Sequence, residues 1–467
     1  MADSLKFGTS GLRGLAVDLI GAASARYTLA FINALRIAPG ASMLVGQDLR
    51  ESSPAIAQSV MAAIASAGLR PLDCGALPTP ALALDAQTRG LAAIMVTGSH
   101  IPADRNGLKF YTARGEIDKA EEAAILESLQ GVPGVGLPEI TAELSPQTGF
   151  SYLARYRQFL PPNALKGQRI GVFQHSSVAR DALVTLLESF GAEVLTLGRS
   201  EHFIPIDTEA LGERDIAQAS DWVRNLGLAA LVSTDGDADR PLLADDTGAF
   251  IRGDVVGILT AKYLGADVVV TPVTSNSSIE STGYFARTLR TKVGSPFVIA
   301  GISAARVTGG KVVVGFEANG GVLLGSNVEV NGADIVALPT RDAVLPILAV
   351  LGAARAEGLA LSQLVATLPP RFARSDRLEH VPFERSAALI RNLGDPTFAG
   401  HFLAEAGQVD EVSDIDGLRF VLRCGDVVHY RPSGNAPELR CYTEASSAER
   451  AEELLRWGLR AAEAVVR

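Results

Sequence analysis

Residues 91–111 read LAAIMVTGSHIPADRNGLKFY, and the reading of this stretch decides the rest. The short apolar run 91–96 predicts a buried strand, and it stops abruptly at Thr97. Ser99 and His100 stand just past its end, followed by Asp104, Arg105 and Lys109. In α/β sheets, ligands gather at the carboxyl ends of strands, so this loop is a candidate site rather than an ordinary turn. Ser99 and His100 do not by themselves make a hydrolase dyad, because neighbouring side chains on an extended chain point apart. No G-x-S-x-G elbow is present.

Working outward, the same order recurs. SMLVGQDLRESS reads as a strand and polar loop, and SPAIAQSVMAAIASAG as a helix ending near Gly68; the strand 91–96 comes later. RIGVFQHSS is followed by the helical ARDALVTLLESFGA and later by the strand LAALVS. ADVVVTPVTSNSS is followed by IESTGYFARTL, read as helical, and later by the strand KVVVGF. Each second strand runs into an unusual loop: TGSH, TDGDADR or EANGG. This predicts repeated α/β units with helices covering a mostly parallel sheet. Beyond about residue 368, LPPRFARSDRL breaks the pattern, and the tail reads strand, strand, loop, strand, helix, a smaller α+β domain. The last helix has a serine cap and apolar residues at 451, 454, 455, 459, 462 and 466.

Composition narrows the function. A chain of 467 residues, 47% of them apolar, can bury several cores. A net charge of −10 argues against nucleic acid or an anionic membrane as partner, yet leaves room for an anionic small substrate in a local basic pocket. Cys74, Cys424 and Cys441 are scattered and odd in number, which points to reduced thiols. The first residues lack a signal-peptide pattern, and AVLPILAVLGAA is too short to span a bilayer, so a cytoplasmic location is expected.

DGDADR is the sharpest local signal. Asp235, Asp237 and Asp239 alternate with small residues, and three like charges this close call for a cation; oxygen donors suit Mg²⁺ or Ca²⁺. An EF-hand is excluded, because its sixth position holds Arg240 and its twelfth Asp246. Three carboxylates leave an open coordination position that a phosphorylated Ser99 could fill. YRPSGNAPELR places Arg431 and Arg440 around a Ser-Gly-Asn stretch suited to phosphate, and FGTSGLRG has the same flavour, with Arg13. GFEANGG offers Glu317 and Asn319 for sugar hydroxyls. No Walker-type phosphate loop occurs.

Those five stretches, in this order, resemble the α-D-phosphohexomutase superfamily of phosphomannomutases, phosphoglucomutases and phosphoglucosamine mutases. The resemblance spans the whole chain. It implies three related α/β domains and a smaller C-terminal α+β domain around a central cleft, with expected boundaries at 1–146, 147–249, 250–368 and 369–467. It also implies that Ser99 carries a phosphoryl group between O6 and O1 of a hexose phosphate through a bisphosphorylated sugar. Ser99, His100, Arg13 and Lys109 would be catalytic. Ser99, Asp235, Asp237 and Asp239 would hold Mg²⁺. Glu317, Asn319, Gly320, Arg431, Ser433, Gly434, Asn435, Arg440 and Arg240 would bind substrate. A hexose 1,6-bisphosphate is the expected activator, and a monomer or homodimer the expected state. Ile101 stands where the commonest phosphoserine loop has asparagine. EANGG and GNAPELR look most like bacterial phosphomannomutases, with glucose and glucosamine phosphates as alternative substrates. A Mg²⁺-dependent sugar phosphatase is a more distant alternative.

Overall fold

The computed structural model describes residues 5–8, 10–132, 136–433 and 437–466. The chain divides into two compact units. The first comprises Met1–Val269 and Gly294–Val365, the second Val270–Val293 and Ala366–Arg467.

In the first unit, the strand Ala92–Val96 is buried from Ala93 onward, as its apolar run requires. It lies parallel to Ser42–Gln47, with Met43 opposite Ala92 and Gln47 opposite Val96. On its other edge it runs antiparallel to Arg105–Thr112, which sets Lys109 opposite Met95. The strand Leu12–Leu15 continues the sheet antiparallel to Arg105–Thr112, with Arg13 opposite Gly107. The sheet is therefore mixed rather than mostly parallel. Its parallel centre, Ser42–Gln47 with Arg70–Ala76 and Ala92–Val96, is fed by the helices Ser53–Ser66 and Thr79–Arg89. Thr79–Arg89 starts with Pro80 in its first turn and ends on Gly90 at φ 66°, the left-handed cap that glycine adopts without strain. Leu12, Phe31, Ile56, Val60, Ile94 and Phe110 form the core beneath.

A second sheet in this unit orders Glu193–Leu197, Arg169–Phe173, Ala230–Thr234 and Pro241–Ala244. Its first three strands are parallel, while Ala230–Thr234 and Pro241–Ala244 form a hairpin with Thr234 opposite Pro241. Val313–Phe316, Val322–Leu324 and Leu338–Asp342 make a further antiparallel set, with Phe316 opposite Val322. The helix Val344–Glu357, which contains the AVLPILAVLGAA stretch, is buried along almost its whole length. Asp342 caps its start by accepting the Val344 N–H at 2.9 Å. Among the described residues, no helix is long and apolar enough to cross a membrane.

The three unusual loops share one local logic. Each follows a buried strand and returns the chain to an antiparallel neighbour: Val96 to Leu108, Thr234 to Pro241, and Phe316 to Val322. Each is thus a hairpin connection held at both ends by a sheet.

The second unit is built on a five-stranded antiparallel sheet ordered Phe372–Leu378, Leu439–Ala445, Val427–Pro432, Leu418–Leu422, Val409–Ser413. The helix Ala448–Val466 buries Ala451, Leu454, Leu455, Ala462 and Val466 against it, and Ser447 caps its start by accepting the Arg450 N–H. One expectation needs correction, and two features lie outside the pattern read from sequence. The stretch read as a helix over 279–289 forms only the turn Ser278–Ser281 and then the strand Arg287–Thr291. Gly283, at φ 67°, breaks the helix, and the Arg290 guanidinium satisfies the carbonyls of Pro272, Ser275 and Asn276. The arginine-rich interruption after 368 is a strand, Phe372–Leu378, whose backbone pairs with Leu439–Ala445 along its full length. The helices Phe383–Leu393 and Pro396–Phe402 complete the domain beyond the tail pattern read from sequence.

Candidate active site

Ser99 is fully buried at the tip of its loop and has a positive φ of 53°. Such a conformation costs a non-glycine residue roughly 1–2 kcal/mol and persists only when the surroundings over-determine it. The surroundings here are specific. The Ser99 N–H donates to Thr97 Oγ1 at 2.8 Å, and Thr97 in turn donates to Asp48 Oδ2 at 2.8 Å. Asp48 also accepts from Ser53 Oγ at 2.5 Å and from Arg50 Nε at 3.2 Å. The Arg50 guanidinium then donates to four carbonyls of the loop: Ser99 at 2.9 Å, Ile101 at 2.6 Å, Pro102 at 2.7 Å and Arg105 at 2.8 Å. Its plane lies 4.0 Å over the Phe203 ring. Gly98 has to be glycine, because a Cβ there would sit 2.6 Å from Arg50 Cζ.

The result is aim. Ser99 Oγ points at the acidic hairpin and donates to Asp235 Oδ2 at 2.5 Å. Asp235, Asp237 and Asp239 are all buried and offer carboxylate oxygens within 4.8 Å of one another. Ala238, at φ 59°, tightens the turn that brings them together. Lys109 Nζ donates to Asp237 Oδ2 and Asp239 Oδ2, both at 2.6 Å. Thr79 Oγ1 donates to Asp237 Oδ2 at 2.6 Å. The remaining oxygens, Asp237 Oδ1 and Asp239 Oδ1, are buried and have no hydrogen-bond partner. Buried unsatisfied carboxylate oxygens are costly, and an all-oxygen set of this kind fits a hard divalent cation.

Charge is sorted around this set. Burial, then Asp237 and Asp239, push the Asp235 carboxyl well above the usual carboxylate range. Burial alone would raise Asp239 too, but Arg341, Lys109 and Arg240 outweigh it and hold that carboxyl below its usual range. Burial works against the Lys109 cation, yet Asp237 and Asp239 win and raise its pKa. His100 is driven down to about 2, by burial first and then by Arg240 and Arg13, so its ring is neutral. Its Nδ1 lies 3.4 Å from Ser99 Oγ. Burial, with Arg240 and Arg341, lowers Arg13 to about 10, which still leaves it cationic at neutral pH.

Glu317 lies at the start of its hairpin tip and is only 5% exposed. Its Oε2 accepts from Arg341 Nη1 at 2.7 Å, and Arg341 Nη2 donates to Asp239 Oδ2 at 2.7 Å, so one guanidinium ties the sugar-type loop to the acidic one. Asn319 Oδ1 accepts the Gly321 N–H at 2.9 Å, and the Asn319 carbonyl accepts from Thr208 Oγ1 at 3.2 Å. Gly320 has φ 87°, and Gly253 passes so close that a Cβ on it would lie 2.3 Å from the Gly320 nitrogen. Arg240 Nη1 lies 3.9 Å from Asp207 and 3.7 Å from Glu209, and its Nε and Nη1 have no hydrogen-bond partner.

Ser99, His100, Arg13, Lys109, Asp235, Asp237, Asp239, Arg240, Glu317, Asn319 and Gly320 all belong to the first unit. Arg431, Ser433 and Arg440 belong to the second, where Arg431 and Arg440 sit directly opposite each other on neighbouring strands. Arg431 faces Asp416 at 3.6 Å, Arg440 faces Glu438 at 3.6 Å, and the Ser433 N–H donates to the Glu438 carbonyl at 3.0 Å. Gly434 and Asn435, also expected in this loop, lie outside the described residues. The sequence reading missed Asp48, Arg50, Thr79 and Arg341. Arg50 and Asp48 share the D-x-R of GQDLRESS, a charged pair just after a buried strand, and that was the available signal.

A buried serine hydroxyl aimed at an acidic, cation-competent hairpin, carried on α/β sheets, is an enzyme-type site. Four family models cover nearly the whole chain. These are phosphoglucomutase/phosphomannomutase α/β/α domain I at residues 4–132, domain II at 151–248, domain III at 252–372 and the C-terminal domain at 384–456. The chain belongs to the phosphoglucomutase/phosphomannomutase family. It is 50% identical to a phosphomannomutase of Sinorhizobium fredii across 97% of this chain and 98% of that protein. It is 43% identical to a phosphomannomutase of Salmonella muenchen across 95% and 93% respectively. Its fold matches the crystal structure of a phosphoglucomutase/phosphomannomutase family protein from Burkholderia thailandensis with a TM-score of 0.78, at 20% identity over 98% of both chains.

Proposed function

We propose that this chain interconverts mannose 6-phosphate and mannose 1-phosphate by way of a phosphorylated Ser99. The observation that carries the reading is the 2.5 Å hydrogen bond from Ser99 Oγ to Asp235 Oδ2 inside a buried acidic hairpin. The identity to phosphomannomutases supports mannose as the sugar.

Phospho-Ser99 donates its phosphoryl group to one hydroxyl of the hexose phosphate. The serine P–O bond breaks as the sugar P–O bond forms, and the sugar hydroxyl loses its proton. Lys109 is held cationic by Asp237 and Asp239, so it neutralises the moving phosphoryl group and takes no proton. Arg13 does the same from the neighbouring strand. The sugar proton ends on Ser99 Oγ as the serine P–O bond breaks, and the second half-reaction reverses this; His100, neutral and with Nδ1 3.4 Å from Ser99 Oγ, orients that hydroxyl. The bisphosphorylated sugar turns end for end and gives its other phosphate back to Ser99. Glu317, Asn319 and Gly320 grip hydroxyls, and Arg240, with two unpartnered nitrogens, meets substrate charge. Arg431, Ser433, Gly434, Asn435 and Arg440 anchor the phosphate that does not react. Asp235, Asp237, Asp239 and the Ser99 phosphate would hold Mg²⁺, which when bound draws charge off phosphorus during transfer. A hexose 1,6-bisphosphate serves as activator by loading Ser99.

Mannose and glucose differ only at the C2 hydroxyl, and few contacts there give weak discrimination, so some turnover of glucose phosphates is expected. The test is an assay of mannose and glucose 1- and 6-phosphates with Mg²⁺ and bisphosphate. Failure to convert any of them would overturn the proposal.

A further inference from the structure

The second unit contains a cavity of about 340 Å³ that the proposed mutase chemistry does not use. Ser277, Arg290, Arg371, Glu411, Ser413 and Arg419 line it. It opens on the sheet face opposite the one covered by helices. Leu418, Phe420 and Leu422 enter the core, while Arg419 between them points the other way, flanked across the strands by Ser413 and His429.

The charges in this cavity are unevenly matched. Arg290 is fully engaged, with Nε and Nη2 on the Glu280 carboxylate at 2.8 Å each and its other bonds on backbone carbonyls. Arg371 donates to the Gly425 carbonyl at 2.6 Å. Glu444 is buried, which raises its pKa, and it accepts the Ser277 N–H at 2.7 Å. Arg419 makes no hydrogen bond and no ion pair with any described residue, and burial followed by Arg290 weakens its hold on the proton. His429, its cross-strand neighbour, is a neutral ring whose Nε2 donates to the Asp416 carbonyl at 2.6 Å. Ser277 Oγ is also buried without a partner. Arg419, half-buried, thus lines the cavity with no hydrogen-bonded partner, and Ser277, whose hydroxyl can donate, lines it beside Glu444.

We propose that this cavity is a second site for a small phosphate monoester, separate from the phosphate loop at Arg431 and Arg440. The planar guanidinium of Arg419 fits two phosphate oxygens, and Ser277 supplies a third donor. Ser413 and Glu411 face the volume left over and suit hydroxyl groups on the same ligand. The size matches a small metabolite.

The test is calorimetric titration of the full chain with inorganic phosphate, comparing wild type, Arg419→Gln and Ser277→Ala. Arg419→Gln is expected to bind one equivalent fewer than wild type, with kcat and KM for mannose 1-phosphate unchanged. Ser277→Ala is expected to keep the stoichiometry and weaken that one equivalent by about tenfold, the value of one hydrogen bond to a charged partner. Wild-type stoichiometry in Arg419→Gln overturns the proposal. If Arg419→Gln does not fold, unchanged affinities in Ser277→Ala overturn it instead. Neither result bears on whether Ser99 carries phosphate.

Discussion

Replacing Arg50 by lysine tests how Ser99, the proposed phosphoryl carrier, is aimed. Arg50 serves four loop carbonyls between 2.6 and 2.9 Å and the Asp48 carboxylate at 3.2 Å, with no side-chain exposure. A lysine ammonium has three donors on a single atom, so at least two of these five acceptors lose their partner. At about 1.5–2 kcal/mol for each lost bond to a charged donor, the fold should weaken by about 3–4 kcal/mol. The sharper effect is on transfer. The positive φ of Ser99 is held by the Thr97 hydroxyl together with these carbonyl bonds, and a shift of about 1 Å at a reacting atom costs about 100-fold in rate. Arg50→Lys is therefore expected to lower kcat and the rate of Ser99 phosphorylation by hexose 1,6-bisphosphate about 100-fold, while KM for mannose 1-phosphate changes little, because Arg50 touches no proposed sugar ligand. Rapid-quench measurement of Ser99 phosphate, beside steady-state kinetics and urea unfolding, separates aim from stability. A folded Arg50→Lys protein with wild-type phosphorylation rate and kcat would refute the reasoning.

Ser99→Ala should abolish turnover and leave no phosphate adduct by intact mass, while titration still detects sugar phosphate binding. Chelation should remove activity and readdition of Mg²⁺ restore it, with Asp237→Asn raising the Mg²⁺ concentration needed in activity titrations. Gly98→Ala places a Cβ 2.6 Å from Arg50 Cζ and should mimic Arg50→Lys, reducing kcat at least tenfold, measured in the same assay. His429 is pushed down to about 4 by burial, so the folded state binds fewer protons than the unfolded chain between about pH 4 and 6.5. Its contribution is full above pH 6.5 and is lost as pH falls toward 4, about 3 kcal/mol in all, so urea midpoints should decline over that window and decline less in His429→Asn.

The sequence by itself determined the element types wherever apolar runs were short and bounded, as at Ala92–Val96 and Ala230–Thr234. It also marked the three aspartates, because charges crowded at alternate positions after a buried strand have few other uses. It failed where a local pattern was overruled by distant partners. The helical spacing of 279–289 gives way at Gly283 and at the carbonyls held by Arg290. The arginine-rich 372–378 becomes a strand because Leu439–Ala445 offers it a complete set of backbone partners. Folding brings Arg50 and Arg341 to acceptors far along the chain: the Ser99 loop for one, Asp239 and Glu317 for the other. Local composition fixes which groups can do chemistry, since pattern and propensity act over a few residues. The meeting of Ser99 with Asp235, 136 positions apart, is decided only when sheet register and buried ion pairs set both hairpins in place.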